Sequence, residues 1–340
     1  MFSRLSQVAR HLARPLPNLA HSSAATTASS QIATVNRIMT TGPTAAERAS
    51  RKIHTAACLI IGDEVLGGKA GRDFQWTWLI TLGQTNSHYF AKWCFGLGIN
   101  LKRIEVIADD ETEIIEAVRR MSERYDLIVT SGGIGPTHDD ITYKSIAKAF
   151  GLPLVLHKEA YDLMKKLSKP RPNQPPFNWD QDSPALRAKL RMVELPTDAS
   201  RPLEEQFLFP CNDLWVPVAV VNGNVHILPG VPKLFEKLLD GLTPSILPRL
   251  TDPEGKGIVR VIISTPLPES EVAEYLTALA ERVEPKGVKV GSYPRWGKKR
   301  NTVTLVGRDK AYLESIAPEV VHYVQGRLVT VEGEDDEADD

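Results

Sequence analysis

The amino-acid sequence predicts an α/β fold, a three-layer parallel sheet followed by a smaller α+β unit of order βαββαβ. Two observations carry that expectation. Between Thr55 and Phe150, short apolar runs alternate with segments of helical periodicity, an order that calls for parallel strands joined by right-handed crossovers. From Gly257 to Val331 the order becomes strand, helix, strand, strand, helix, strand, a split βαβ arrangement.

Each element has its own signal. Thr55–Ile61 is a short apolar run bounded by Gly62 and reads as a buried strand. Asn86–Leu97 reads as a helix stopped by Gly98, and Leu101–Ala108 as a second strand. Asp110–Tyr125 is the clearest helix, with Ile114, Ile115, Val118, Met121 and Tyr125 on one face and acids in its first turn. Asp126–Thr130 is the third strand, running into Ser131-Gly132-Gly133, and Asp139–Phe150 is a helix closed by Gly151 and Pro153. Residues 169–184, rich in proline and polar side chains, read as a connection, and Pro184–Val193 as a helix. Asn222-Gly223 between two β-branched runs in Val216–Leu228 predicts a two-residue hairpin, and Val231–Leu239 a helix leaving the Leu228-Pro229-Gly230 loop. The second unit reads as strand Ile258–Ser264, helix Glu269–Arg282, strands Val288–Tyr293 and Thr302–Val306, helix Lys310–Val324 and strand Leu328–Val331. The two domains are expected over 53–245 and 256–331.

The net charge of −1 over 340 residues hides two biased ends. Residues 1–46 carry four arginines and no acid, with Phe2, Leu5, Val8 and Leu12 at helical spacing, and read as a transit peptide or disordered leader for the mitochondrial matrix, a cytoplasmic protein being the alternative. Residues 332–340 carry seven acids and read as a solvated, disordered tail. The near-neutral body offers no basic stripe to displace counterions, which argues against nucleic acid as a partner. No apolar run is long enough to cross a bilayer, so a membrane is not expected either. The three cysteines, Cys58, Cys94 and Cys211, match no zinc or disulfide spacing, and Cys58 reads as core.

The chemistry concentrates in Ser131-Gly132-Gly133-Ile134-Gly135-Pro136-Thr137-His138-Asp139-Asp140. A glycine-rich turn between strand and helix presents backbone N–H groups and the positive end of a helix dipole to an anion. Gly132, Gly133 and Gly135 permit close approach, and Asp139 with Asp140 at a helix start would repel a phosphate unless a hard divalent cation lay between them. The same residues would also serve as a helix cap and a turn. His138 reads as a surface residue, and Trp215 and Trp296 as packing residues rather than ring-stacking ones.

Together, Ile61-Gly62-Asp63-Glu64-Val65-Leu66-Gly67-Gly68-Lys69, Thr85-Asn86-Ser87, Ala108-Asp109-Asp110 and the Gly132–Thr142 string resemble, in this order, the motifs of the molybdopterin-binding domain family. They are most similar to its CinA-like branch and to the N-terminal domain of animal FAD synthase. The likeness is strong over Thr55–Phe150 and weaker, through Leu228-Pro229-Gly230-Val231-Pro232, to about Val331.

The resemblance implies a small-molecule nucleotide or pterin ligand, FAD, ADP-ribose or molybdopterin with ATP; it is compatible with a homo-oligomer, and the sequence leaves the oligomeric state open. It implies Mg²⁺, or Co²⁺ or Mn²⁺, with K⁺ as a further ion. Asp63, Glu64, Asp139 and Asp140 are the implied catalytic set, with Asp139 and Asp140 on the metal. Ser131, Gly132, Gly133, Gly135, Thr137, Asn86, Ser87, Pro229 and Gly230 would contact the ligand. One branch adenylates molybdopterin, and CinA-like and FAD-synthase-like relatives hydrolyse the pyrophosphate of ADP-ribose or FAD. A second βαββαβ unit and both carboxylate pairs favour the hydrolase, a metal-dependent diphosphatase, over the adenylyltransferase and over a non-catalytic binding module. A separate FAD-making adenylyltransferase domain is not expected, since Val331 leaves no room for it.

Residues 70–84 depart from the family pattern. A very short spacer is expected between the Gly-Lys turn and an Asp-Thr-Asn-Ser helix start, yet an apolar stretch with Phe74, Trp76 and Trp78 intervenes and Gln84 stands where aspartate is expected. It reads as a retained intron or misjoined exon rather than a lid, and it places the roles of Asn86 and Ser87 in question.

Overall fold

A computed structural model describes residues 42–67, 77–168, 177–253 and 257–335, residues 77–84 by backbone alone. These residues belong to a compact unit that starts at Thr44. Residues 1–41 of the expected leader and residues 70–76 of the unusual stretch lie outside the described residues.

The expected leader boundary at 46 falls inside the folded unit. Helix α1 (Ala45–Ser50) starts on a capping box in which the Thr44 side chain accepts from the Glu47 N–H and the Glu47 carboxylate accepts from the Thr44 N–H. Strand β1 (Thr55–Ile61) follows, then the single turn α2 (Asp63–Leu66) and helix α3 (Thr77–Gly96). Next come β2 (Asn100–Ile107), α4 (Glu111–Arg124), β3 (Leu127–Ser131) and α5 (Thr142–Phe150). An excursion, β4 (Leu154–Leu156), α6 (Lys158–Leu167), α7 (Pro184–Leu190) and β5 (Glu194–Pro196), precedes β6 (Phe207–Leu208), β7 (Val218–Val221), β8 (Val225–Leu228) and α8 (Pro232–Ile246). The chain closes with β9 (Val259–Thr265), α9 (Glu269–Val283), β10 (Lys289–Tyr293), β11 (Asn301–Gly307), α10 (Lys310–Tyr323) and β12 (Arg327–Val329).

The main sheet runs β2-β1-β3-β8-β7-β6. Its first four strands are parallel, as expected; β7 and β6 add an antiparallel edge, so the sheet is mixed. The predicted Asn222-Gly223 turn is the cause, because a two-residue turn with φ of 51° and 76° can only return the chain antiparallel. Three layers result. One face of the sheet, with Ala56, Cys58, Val129 and Leu228, packs on Phe90 and Cys94 of α3 and Phe235, Leu238 and Leu242 of α8. The other, with Ala57, Leu59, Ile128 and Ile227, packs on Ile114, Val118 and Met121 of α4 and Tyr143 and Ile146 of α5. β1 is buried on both faces, which explains its unbroken apolar run.

The second sheet, β10-β11-β9-β12, is antiparallel throughout and covers its own core, in which Ile263, Val303 and Leu305 meet Leu276, Leu279, Leu313 and Val320. It packs on the end of α3, where the Ile258 N–H donates to the Phe95 carbonyl at 3.4 Å and Arg260 lies over the Phe95 ring.

Three further expectations are corrected. The helix expected from Asn86 begins at Thr77, so residues 77–84 are helical backbone continuous with the site helix. The acidic end is not solvated from Glu332 onward: Asp335 is buried, paired with Arg327 Nε at 2.6 Å and Arg300 Nε at 3.0 Å, because two guanidinium groups at the margin of the second sheet compensate its charge. The helix expected from Asp139 begins only at Thr142, for reasons that belong to the site.

Candidate functional site

The site lies where β1, β2, β3 and β8 end, at their carboxyl edge, where parallel α/β sheets bind ligands. The ends of β1, β3 and β8 are pressed together through glycine. Gly132 has φ of +109°, and a Cβ there would collide with the Ile61 carbonyl oxygen. A Cβ on Gly230 would lie 3.2 Å from the Gly132 Cα. The Gly132 N–H donates to the Leu228 carbonyl at 3.2 Å.

Asn86 locks this junction. It is 1% exposed, and its Nδ2 donates to Ser131 Oγ at 2.9 Å and to the Gly230 carbonyl at 2.8 Å, while its Oδ1 is buried without a hydrogen-bond partner. Ser131 Oγ in turn lies 3.5 Å from the Pro229 carbonyl. The doubt that 70–84 raised over Asn86 is thus answered for its position: it ties the Ser131 strand end to the Pro229-Gly230 loop. Ser87, one residue on, is half-buried.

The glycine loop caps α5 with its own backbone. The Thr142 N–H donates to the Gly133 carbonyl at 2.9 Å, and the Thr142 hydroxyl to the Gly132 carbonyl at 3.0 Å. The alternative reading of Asp139 and Asp140 as helix caps does not hold; Ile141 is the N-cap position and its side chain makes no cap bond. Asp140 instead closes the loop on itself. Its Oδ2 accepts from the Thr137 N–H at 2.9 Å and from the Thr137 hydroxyl, and a Cβ on Gly135 would lie 2.5 Å from that oxygen. Gly135 is needed because the Asp140 carboxylate fills the space a side chain would take. Asp139 and His138 are exposed, His138 almost fully.

A fourth acid completes the cluster. Asp109, after β2, lies across from Asp63, after β1: the Asp63 N–H donates to Asp109 Oδ2 at 3.0 Å and the Asp109 N–H to Asp63 Oδ1 at 3.2 Å. Burial pushes the Asp109 carboxyl above the usual carboxylate range; the Asp63 N–H works against this, and the charges of Glu64, Asp63 and Asp139 add to the rise. Asp63, Glu64, Asp109 and Asp139 thus converge electrostatically, whereas Asp140 is held by Thr137. Asp109 was not singled out in the sequence, although its motif, Ala108-Asp109-Asp110 at the end of a predicted strand, was visible; its neighbour Asp110 caps α4, accepting from Thr112 and Glu113 N–H groups.

Among the described residues, no three His, Cys, Asp or Glu side chains are close enough to hold a metal ion by themselves, and no helix is long and apolar enough to cross a membrane. Trp296 is fully exposed rather than packed, on the Tyr293–Asn301 connection of the second sheet; Trp215 is partly buried against the first core.

Residues 57–250 match the family described as probable molybdopterin binding domain, and residues 258–333 the FAD synthase middle domain. The chain is 30% identical over 285 residues to the probable FAD synthase of Caenorhabditis elegans, a match covering 81% of this chain and 51% of that protein. The Caenorhabditis briggsae probable FAD synthase is likewise 30% identical, over 81% of this chain and 50% of its own length. The chain therefore spans about half the length of the curated FAD synthase relatives it matches. A CinA-like protein of Anaeromyxobacter dehalogenans is 26% identical over 82% of this chain and 61% of its own. Of solved structures, the protein CinA from Thermoplasma acidophilum is 28% identical with a TM-score of 0.43, over 57% of this chain and 98% of that one. With the first family match spanning more than half of its residues, the chain belongs to the molybdopterin-binding domain family.

Proposed function

We propose that this chain hydrolyses the phosphoanhydride of FAD or ADP-ribose with the help of a divalent cation, releasing AMP together with FMN or ribose 5-phosphate. Water adds across the P–O–P bond, one phosphorus taking its hydroxyl and the bridging oxygen leaving on the other. One observation carries the reading: the ends of β1 and β2 hold Asp63 and Asp109 against each other, each accepting the other's backbone N–H, and burial, with the charges of Glu64, Asp63 and Asp139, pushes the Asp109 carboxyl up. Such a cluster beside a glycine cradle repels a phosphoanhydride unless a cation is bound with it. The donor set is of hard oxygens, which suits Mg²⁺, Mn²⁺ or Co²⁺, and Mg²⁺ takes one or two carboxylates and completes its shell with water and substrate phosphate.

Asp109 and Asp139 would hold the cation, with Asp63 and Glu64 beside them to orient the attacking water. The cation, when bound, polarises the phosphoanhydride. Gly132, Gly133 and Gly135 let the loop pack against Ile61, Thr142 and Asp140 and so shape the wall beside the ligand, and Ser131, Thr137, Asn86, Pro229 and Gly230 fix that backbone. Asp140 is foremost the residue that shapes the loop, and its second oxygen remains for the metal. The match to the FAD synthase middle domain supports the flavin substrate over molybdopterin. The acid-free, arginine-bearing leader supports import into the mitochondrial matrix.

The test is a panel of FAD, ADP-ribose, NAD⁺ and molybdopterin plus ATP, each with Mg²⁺, Mn²⁺ or Co²⁺ and with or without K⁺. AMP release from FAD or ADP-ribose with metal, lost in Asp139→Asn, is the expected outcome. Adenylation of molybdopterin instead, or ligand binding without turnover, would replace the reading.

A further inference from the structure

A cavity lies at the opposite end of the main sheet from the glycine loop. It has a volume of about 360 Å³ and is lined by Arg201, Glu205, His226, Arg249, Ser50 and Ser245 among others. His226 is the second residue of β8, whose far end leads to Pro229-Gly230. One wall of the cavity is α1, which packs its backbone on the Asn222-Gly223 turn so tightly that a Cβ on Gly223 would strike the Ala45 carbonyl.

Two arginines face this space, and they are short of partners. The Arg201 side chain is 7% exposed, and its Nε and Nη2 are buried without a hydrogen bond. The nearest carboxylate, Glu205 Oε2, stands 3.5 Å from Nη2 and is itself half exposed. Arg249 is largely buried, donating from Nε to the Arg51 carbonyl at 3.3 Å and from Nη2 to the Arg48 carbonyl at 3.0 Å, both neutral acceptors. Burial pushes its guanidinium below the usual range, with Asp126 opposing. His226, buried at the base, is neutral, because burial and the charge of Arg249 drive its pKa down to about 4. A buried guanidinium with unsatisfied N–H groups is costly, and its planar fork fits an oxyanion. We infer that this cavity is an anion site that takes the phosphate of a small phosphomonoester, seated between Arg201 and Arg249. The Ser50 and Ser245 side chains lie at its wall, and the volume exceeds what a phosphate alone would fill, leaving room for a small organic group.

The site is separate from the glycine loop and does not depend on the reaction proposed there. Its test follows the Nε–Hε resonances of the arginines in the full chain while inorganic phosphate, glycerol phosphate or acetate is added at constant ionic strength. Arg201 and Arg249 Nε signals should shift saturably with phosphate and more tightly with glycerol phosphate. Arg201→Gln should weaken that binding at least tenfold, the usual scale for losing a charge-assisted bidentate partner. Arg201 has only the half-exposed Glu205 as a carboxylate partner, so the substitution should not unfold the chain; if the variant fails to fold, the wild-type Arg201 shift alone decides. The inference is overturned if Arg201 Nε does not move at millimolar phosphate, if wild type and Arg201→Gln bind equally, or if acetate is as effective as phosphate.

Discussion

Asp63 and Asp109 each accept the other's backbone N–H, at 3.2 and 3.0 Å, so two like charges are held together by the ends of two adjacent parallel strands. The arrangement is not a stability device. Burial raises the Asp109 carboxyl most, the Asp63 N–H opposes the rise, and the charges of Glu64, Asp63 and Asp139 add to it. The fold sets negative charge where a bound cation would relieve it.

The first prediction concerns the glycine that lets β1, β3 and β8 converge. Gly132→Ala should cost about 3 kcal/mol or more, combining a positive φ with a collision against the Ile61 carbonyl. Gly151→Ala is the control: its φ is also positive, at +66°, but nothing lies within 4 Å of the added Cβ, so about 1 kcal/mol should be lost. Urea denaturation of both variants measures the difference. Equal losses would show that the backbone at Gly132 relaxes.

How the site reads from the sequence explains where expectation and structure part. β1, α4 and the Asn222-Gly223 turn were legible because burial on two faces, a helical stripe and a positive-φ dipeptide each leave a local trace. The start of α5 was not. Two aspartates before an apolar run look like a cap, but the Thr142 hydroxyl and N–H are satisfied by Gly132 and Gly133, ten and nine positions back, a contact that only the folded loop creates. Helix α6 and the β4–β5 pair escaped for a different reason: β4 is exposed along its length, and Ala160 and Met164 of α6 are buried in a small local cluster with Val193 rather than in the main core. Asp109 stands in a motif visible in the sequence, but its role depends on Asp63, a partner distant in sequence.

Asn86 should behave as a structural bolt. Asn86→Ala removes both Nδ2 donors and strands the Gly230 carbonyl and Ser131 hydroxyl, at a cost of about 2 kcal/mol. In a double-mutant cycle with Ser131→Ala the two losses should be coupled by about 1 kcal/mol. Strict additivity would mean that the Asn86–Ser131 bond contributes nothing.

The buried His226 predicts a pH dependence of stability. Its folded-state pKa is depressed to about 4 from an ordinary 6.5, so between those values the unfolded chain binds a proton that the folded chain does not. Its contribution is therefore complete above about pH 6.5 and is lost as pH falls toward 4, by an amount on the order of 3 kcal/mol. His226→Asn should flatten this part of the profile, at some cost in packing. Denaturation midpoints recorded from pH 4 to 8 for both proteins provide the check, and an unchanged acid slope in the variant would assign the loss to other groups.

The last prediction sets function against stability at the Asp63–Asp109 pair. Asn in place of either residue keeps an oxygen to accept the partner's N–H but removes one of the converging charges. The folded state without metal should therefore be no less stable in Asp109→Asn than in the wild type, and any change should be a gain, since burial and three neighbouring carboxylates already disfavour the ionised form. Cleavage should respond in the opposite sense. If Asp109 holds the cation and Asp63 orients the water, each substitution should slow FAD or ADP-ribose hydrolysis by about a hundredfold or more, roughly 3 kcal/mol of barrier. The two roles also separate: excess metal should partly rescue Asp109→Asn, which loses a ligand, and should not rescue Asp63→Asn. Thermal denaturation without metal, alongside initial rates across a metal titration, measures both halves. Destabilisation by Asp109→Asn would mean that the carboxylate is a structural acceptor and nothing more, and full activity of both variants at saturating metal would remove the pair from the mechanism.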